Sequence, residues 1–326
     1  MKTSNIRVFP AQPVGLKELV LTAMLFVAGT SSLFAQRESQ KVRTVSIPIS
    51  IFTKQEIKQG EVEEIIQVDR LIVRENREEQ TILSIRSITD APLSIAVVIQ
   101  DGLTSNVNLH LADLREFIKE LPKGSRVMVA YLRSNSVDFR QRFTTDLDLA
   151  SRTLRVVNPG ENAGPSNPYE GLEDVLERFD ALPAGRRAVL LVSDGFDGSF
   201  GISGSSPGQS INLERAITRA QRRNVAVFGF YSPTASTENG SGLLVLNAQG
   251  SLQRLTDETG GRAFFQGSSA PVSFDPFFRD LKLLLNRQFL LSYLSKNMKK
   301  GYYKVEVTSS NPDVKIEHPK GYYFRQ

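Results

Sequence analysis

The middle of the chain alternates short apolar runs with segments whose apolar residues recur every three or four positions. Four runs contain almost no polar residue and are typical of strands buried on both faces of a parallel sheet: 93–99, 127–132, 188–192 and 225–231. The recurring apolar residues between and after them predict helices at 111–121, 172–179, 213–223, 252–259 and 274–285. A further strand is predicted around Val137 to Phe143, a short helix at 147–155 and a strand at 262–265. The alternation predicts an α/β fold, a doubly wound and mostly parallel sheet.

Both flanks of this region have the pattern of β-strands. In residues 42–90, β-branched residues recur at roughly every second position, and residues 289–324 contain short alternating runs separated by turns with Gly or Pro. We therefore divide the chain into an N-terminal β segment (36–90), a central α/β domain (91–286) and a C-terminal β segment (287–326). We expect the last segment to pair with residues 42–90 in a small flanking β domain.

The first 35 residues have the layout of a secretory signal peptide. Lys2, Arg7 and Lys17 precede the apolar run 19–28, and small residues lead to Ala35. That run is short for the ~30 Å of a hydrocarbon core. We expect cleavage before Gln36 and a secreted or periplasmic mature chain with no membrane span. A retained N-terminal membrane anchor is the alternative.

Composition excludes several classes of chemistry. The 326 residues include no Cys and only two His, so disulfides, thiolate metal sites and a cysteine nucleophile are excluded, and histidine catalysis has little support. Loss of residues 1–35 lowers the formal net charge from +5 to +3. The basic residues alternate with acidic ones, which argues against a nucleic acid partner.

Candidate chemistry lies in three loops that would meet at the carboxyl edge of the sheet, where open α/β sheets bind ligands. The loops are 100–106 after the first apolar strand, 164–168 before a helix, and 193–198, which begins Ser193-Asp194-Gly195. Asp, Ser and Gly are also the residues that tight turns require, so a purely structural role is the alternative.

The strand and helix order, the Ser193-Asp194-Gly195 loop and the loop running from Gly164 into a helix resemble a von Willebrand factor type A domain. The flanking sequences 71–76, 287–293 and 320–323 resemble secreted bacterial proteins called VWFA-related, known chiefly from Acidobacteria. The resemblance covers roughly residues 42–326. It implies a Rossmann-like fold, a protein partner bound by an adhesion-type module, and a metal-ion-dependent adhesion site for Mg²⁺.

The metal site that the resemblance implies is degenerate in this sequence. Its residues would be Asp101, Ser105, Ser166 and Asp194, but Leu103 then takes a hydroxyl position. In a second register Gln100 takes the place of the carboxylate. Mg²⁺ prefers hard oxygen ligands and loses its water reluctantly, so we expect Mg²⁺ binding to be weak or lost.

The expected function is the binding of a protein partner at the carboxyl rim of the sheet, with no enzymatic activity. The rim residues expected to contact the partner are Thr104, Asn167, Tyr169, Phe196 and Asp197, the last as an exposed turn carboxylate; Phe200 and Tyr231 are further aromatic candidates. The alternative is a structural subunit of an envelope complex with no exchangeable ligand. A serine hydrolase is a weaker alternative, because the string Gly204 to Gly208 matches a nucleophile motif but lacks its strand–turn–helix setting and a histidine base.

Overall fold

The computed structural model describes residues 41–53, 71–86, 92–133, 136–159, 167–183 and 185–324. The strands described, in chain order, are β1 (Arg43–Thr53), β2 (Leu71–Glu75), β3 (Glu78–Arg86), β4 (Leu93–Gln100), β5 (Arg126–Arg133), β6 (Ser136–Thr144), β7 (Arg186–Ser193), β8 (Val225–Tyr231), β9 (Ala263–Phe264), β10 (Gln288–Ser295), β11 (Gly301–Ser309), β12 (Val314–Glu317) and β13 (Gly321–Phe324). The α-helices described are α1 (Leu111–Lys119), α2 (Leu147–Arg152), α3 (Pro168–Glu177), α4 (Gly201–Gly204), α5 (Ile211–Arg222), α6 (Ala235–Glu238), α7 (Gly242–Thr259) and α8 (Asp275–Asn286). Short 3₁₀ turns cover Ser105–His110, Arg178–Ala181 and Gly198–Phe200.

The central sheet has six strands in the order β6-β5-β4-β7-β8-β9. All neighbours are parallel except β6, which lies antiparallel to β5 at one edge. Every residue of β4 and β8 is buried, because helices cover both faces of the sheet. Apolar residues of α1, α2 and α8 form the core on one face, and those of α3, α5 and α7 form it on the other. The prediction of a mixed α/β fold with a mostly parallel sheet is confirmed.

Strands from both chain ends form a second sheet, which is antiparallel and curled. Its order is β12-β1-β10-β3-β2-β11-β13, so N-terminal and C-terminal strands are interleaved. With seven strands it is larger than the small flanking domain that the sequence predicts. Each terminal segment has one apolar face, and the interleaved order places these faces together around a shared core of β-branched and aromatic residues.

The largest difference from the predicted elements concerns α7, which begins at Gly242 and not near residue 252. Ser241 is its N-cap, and its Oγ accepts a hydrogen bond from the Leu244 amide at 3.3 Å. The sequence around residues 240–242 suggests a flexible Gly/Ser loop, but Ser is a favoured N-cap residue and Gly is tolerated beside it. Consequently the first three turns of α7 carry apolar residues that the predicted helix lacks.

The residues from Val42 to Gln326 form one compact unit. The predicted signal peptide and the Gln36 cleavage site lie outside the described residues. Over the part of the chain that is described, no helix combines the length and the apolar character needed to cross a membrane.

Candidate functional site

The strand order reverses between β4 and β7, so their carboxyl ends lie side by side where connections leave in opposite directions. Ile99 and Val192 are paired in register, which brings Gln100 next to Ser193. The Ser193 hydroxyl donates to Gln100 Oε1 at 2.5 Å, and the Asp194 amide donates to the same oxygen at 3.2 Å. Both donors are therefore satisfied by the neutral side-chain amide of Gln100, and no charged group is needed here.

Asp194 follows directly and is completely buried, with 0% of its surface exposed. Its Oδ1 accepts from the Phe196 amide at 3.0 Å, and its Oδ2 accepts from the Thr234 hydroxyl at 2.8 Å and more weakly from Thr237 at 3.5 Å. Burial raises the pKa of the Asp194 carboxyl, and these hydrogen bonds offset part of that effect. The carboxylate thus joins the β7 and β8 loops by internal hydrogen bonds.

Asp101 is held by arginines. Arg155 donates from Nη1 to one carboxylate oxygen at 2.9 Å and from Nη2 to the other, and Arg133 Nε donates at 3.3 Å. The Asp101 side chain is nearly buried, and the Arg155 guanidinium lies 4.0 Å from the ring centroid of Tyr131. The charge of Asp101 is therefore neutralised by guanidinium groups of the same chain.

The candidate metal ligands do not fit a Mg²⁺ site. Asp194 and Asp101 are committed to internal donors, and Gln100 supplies only an amide oxygen that already accepts two hydrogen bonds. Ser105 is exposed at the start of a 3₁₀ turn, and Ser166 lies outside the described residues. A small cation that demands several free oxygens would have to displace these partners.

Most of the residues expected to contact a partner are buried beneath the rim. Tyr169 is fully buried and donates its hydroxyl to the Gly195 carbonyl at 2.6 Å, and Tyr231 is also fully buried. Asn167 caps α3, accepting from the Tyr169 amide at 3.0 Å. The interpretation of these two tyrosines as exposed aromatics is wrong: the Tyr169 hydroxyl bonds to the loop after β7, and that of Tyr231 donates to the Ser268 carbonyl, in the loop after β9, at 3.4 Å.

The remaining expected contacts are also largely internal. Asp197 is buried, where it accepts from the Ser210 hydroxyl at 2.6 Å and the Asn212 amide at 3.2 Å, so its interpretation as an exposed turn carboxylate is wrong. Phe196 packs with Leu244 and Ala248 of α7. Thr104 is half-buried, and its backbone amide donates to the Pro233 carbonyl at 2.9 Å. Of the four aromatic residues expected at the rim, Phe200 is well exposed, whereas Tyr169, Phe196 and Tyr231 are buried.

Large apolar side chains are concentrated on the exposed surface of the rim, among exposed Ser, Gly and Asn residues. Seven large apolar side chains protrude from the loops after β7, β8 and β9 and from the helix starts that follow them, with exposed fractions from 38% for Phe265 to 87% for Val272. Among the described residues only thirteen large hydrophobic side chains are this exposed, so more than half lie in this one region. We call these seven the apolar rim: Phe200, Ile202, Ile211, Leu243, Leu246, Phe265 and Val272.

The chain segments that carry the apolar rim contain almost no charged residues. The segments 198–213, 232–253 and 263–274 contain one charged residue, Glu238, although 23% of the whole chain is charged. Contiguous exposed apolar surface on a soluble protein marks interaction sites, and loss of charged residues is typical of interface cores. If these segments were only solvated loops, the apolar side chains would be exposed to water, which is unfavourable, and nothing would bury them.

Hydrogen bonds connect the three segments to one another. Asn247 of α7 donates to the Ile202 carbonyl at 3.0 Å and to Ser205 at 3.3 Å, and Gln249 donates to the Gly267 carbonyl at 2.7 Å. These contacts connect the loops after β7 and β9 to α7. A rim that is ordered in advance loses less conformational entropy when a partner binds.

The hydrolase motif does not have the setting that its chemistry requires. Gly204 ends α4, and residues 205–209 form turns that lead to α5, so Ser206 does not lie between a strand and a helix. His110 packs on the Phe274 ring at 4.5 Å, and His318 lies in the tail, where its ring accepts from the Val307 amide.

Sequence reasoning missed Arg155, the two threonines that bind Asp194, and most of the apolar rim. Arg155 gives no local signal, since its partner lies 54 positions away. The apolar rim does give a signal, because three long segments that share a single charged residue are unusual in a chain of this composition. Their Gly and Ser content suggests flexible loops instead.

No family model matches the chain, and no curated protein matches it either. Solved structures are similar at low identity. A von Willebrand factor type A protein from Catenulispora acidiphila has a TM-score of 0.43 and 10% identity, covering 87% of this chain and 74% of its own. BatB from Bacteroides thetaiotaomicron has a TM-score of 0.42 and 13% identity, covering 60% and 96%. An aerotolerance-related membrane protein from Bacteroides fragilis has a TM-score of 0.41 and 11% identity, covering 60% and 98%.

Proposed function

We propose that this protein is a non-catalytic module of von Willebrand factor A type that binds a protein partner through the apolar rim, without a metal ion. The observation that carries the proposal is the coincidence of exposed apolar side chains with loss of charge at the carboxyl rim of the sheet. The internal partners of Asp101 and Asp194 support the metal-free part of the proposal. Export to the periplasm or the exterior rests on the predicted signal peptide.

A protein partner fits this surface better than an anionic lipid surface does. Segments that bind anionic membranes combine apolar residues with Lys and Arg, and the three rim segments contain neither. Apolar anchors held on an ordered surface are typical of protein interfaces. Because the rim has a single acidic residue, binding should depend only slightly on ionic strength.

The test is capture of the partner from envelope extract by the mature chain, residues 36–326, with Leu246→Glu and a matched control. Leu246 is 67% exposed on α7, and Leu83, on β3 of the other sheet, is 49% exposed. A carboxylate at the centre of an apolar interface would be buried without a partner, so Leu246→Glu should weaken binding at least tenfold, roughly 1.4 kcal/mol. Leu83→Glu should bind as wild type does.

Chelator and salt separate this proposal from a metal-dependent one. Binding should be the same with EDTA and should persist in 1 M NaCl. Loss of binding in EDTA, or equal binding by Leu246→Glu and wild type, would contradict the proposal.

A permanent structural subunit of an envelope complex is the second candidate. The internal hydrogen bonds of this edge favour it, because they occupy the carboxylates of Asp101 and Asp194 that an exchangeable ligand would otherwise engage. A subunit of this kind should remain with its partner at constant stoichiometry through purification, whereas an exchangeable partner should dissociate on dilution.

A further inference from the structure

A buried carboxylate lies where the two chain ends meet in the antiparallel sheet. Glu75, the last residue of β2, is fully buried and accepts four hydrogen bonds. The hydroxyls of Tyr293 and Tyr322 donate to one oxygen at 2.9 and 2.7 Å. Ser295 Oγ and Asn297 Nδ2 donate to the other at 2.7 and 2.6 Å. All four donors come from the C-terminal part of the chain.

The cation near this carboxylate is Arg43, the first residue of β1. Its guanidinium carbon lies 3.8 Å from the ring centroid of Phe324, 5.1 Å from that of Tyr322 and 5.5 Å from that of Tyr303. Its Nε donates to the Asn297 carbonyl at 2.7 Å, and its Nη2 donates to the Tyr322 hydroxyl. Three aromatic rings and two acceptors thus surround one guanidinium.

The Tyr322 hydroxyl connects the two charges. It accepts a hydrogen bond from Arg43 and donates one to Glu75, so the arginine is coupled to the carboxylate through the phenol. Burial raises the pKa of Tyr322, which keeps the phenol protonated and able to donate. The carboxylate therefore orients the phenol oxygen as an acceptor toward the cation.

We propose that Tyr303, Tyr322 and Phe324 form a guanidinium-binding site whose ligand is the chain's own Arg43. A guanidinium is planar and weakly hydrated, so it stacks on a ring and still donates in its plane. The site fastens the start of β1 to the last strand, β13, although β1 pairs only with β10 and β12 among the described strands. It is independent of the apolar rim and of the function proposed there.

Chemical rescue tests the site. In Arg43→Ala the rings and acceptors remain while the cation is removed, and methylguanidinium is small enough to replace it. Millimolar methylguanidinium chloride, compared with NaCl at equal ionic strength, should raise the Tm of Arg43→Ala by roughly 2–4 °C, because a ligand of the folded state alone stabilises it. It should not raise the Tm of wild type, whose site is filled, or of Arg74→Ala, which lacks an arginine of β2 in the same sheet.

Equal responses of the three proteins to methylguanidinium would overturn the proposal, and so would equal rescue by methylammonium, which has charge but no plane. If Arg43→Ala does not fold, Arg43→Lys takes its place. Lysine keeps the charge but cannot stack or donate as a fork, so its Tm should fall several degrees below that of wild type. A lysine variant that melts with wild type would show that charge alone is required.

Discussion

Gly195 is the residue at which the candidate site and the packing of α7 meet. It follows Asp194 with a φ of +71°, a left-handed conformation that L-residues other than Gly adopt at a cost. A Cβ at this position would lie 2.5 Å from the Ala248 carbonyl oxygen and 3.1 Å from Leu252 Cβ, both on α7. The turn therefore touches the helix that carries Leu243 and Leu246 of the apolar rim.

The cost of Gly195→Ala has two parts. The left-handed backbone contributes about 1–2 kcal/mol for a residue with a Cβ. The clash is with a backbone oxygen, which cannot rotate away, so α7 must shift by several tenths of an ångström. Overpacking of this kind typically costs about 1–3 kcal/mol. We expect the free energy of unfolding to fall by about 2–5 kcal/mol and the Tm by roughly 6–15 °C.

Gly124→Ala is the matched control. Gly124 has a φ of +86°, and a Cβ there would meet nothing within 4 Å, so only the backbone cost applies. We expect a loss of about 1–2 kcal/mol in urea denaturation for this variant. If the two variants lost the same stability, the turn at Gly195 would not be in backbone contact with α7, and the packing described for this turn would be wrong.

Four further outcomes are expected. Burial raises the folded-state pKa of Asp194, so the stability that this carboxyl contributes is fully present below the unfolded pKa and is lost as pH rises through the folded pKa. The difference in free energy of unfolding, wild type minus Asp194→Asn, should therefore fall with rising pH. Urea titrations across the acid range measure this difference. Asp194→Ala should lower the Tm before it lowers partner affinity, and calorimetry that shows micromolar Mg²⁺ binding lost in this variant at unchanged Tm would contradict that. A fragment of residues 91–286 should be far less stable than the mature chain by thermal melting, since Phe52 of β1 lies in the core beside the central sheet. Intact-mass analysis of exported protein should show Gln36 as the first residue, and retention of residues 1–35 would refute cleavage.

The central sheet could be predicted from the sequence because its strands are buried on both faces. A run such as 93–99 has one polar residue, Ser94, and the helices between such runs repeat their apolar residues at helical spacing. For the antiparallel sheet the sequence predicts that the two terminal segments pair, but not the strand order or register, because pairing between segments more than 200 residues apart leaves no local pattern. Ser46 opposite Ser292 is one such pair, with hydroxyls 2.8 Å apart.

The candidate site was harder to predict, since the same residue types serve turns, buried networks and metal ions. The sequence places Asp101 and Asp194 at the correct edge of the sheet, yet their partners Arg155 and Thr234 come from other loops. Whether a carboxylate is free to bind a ligand depends on those distant donors. Exposure is likewise a property of the fold, as buried Tyr169 and exposed Leu246 show.

The rim has its carboxylates turned inward and apolar side chains turned outward, and both properties affect how it would bind a partner. A metal-dependent site uses a vacant coordination position and a carboxylate of the partner, so it responds to chelators, acid and salt. Here the carboxylates face inward and hold the loops together, and the outward surface offers apolar side chains. Apolar contacts have no direction, so the specificity of such a surface must come from its shape. The hydrogen bonds of Asn247 and Gln249, which connect the loops after β7 and β9 to α7, support that shape. Under the proposed function, their loss should weaken binding of the partner even though neither amide needs to touch it.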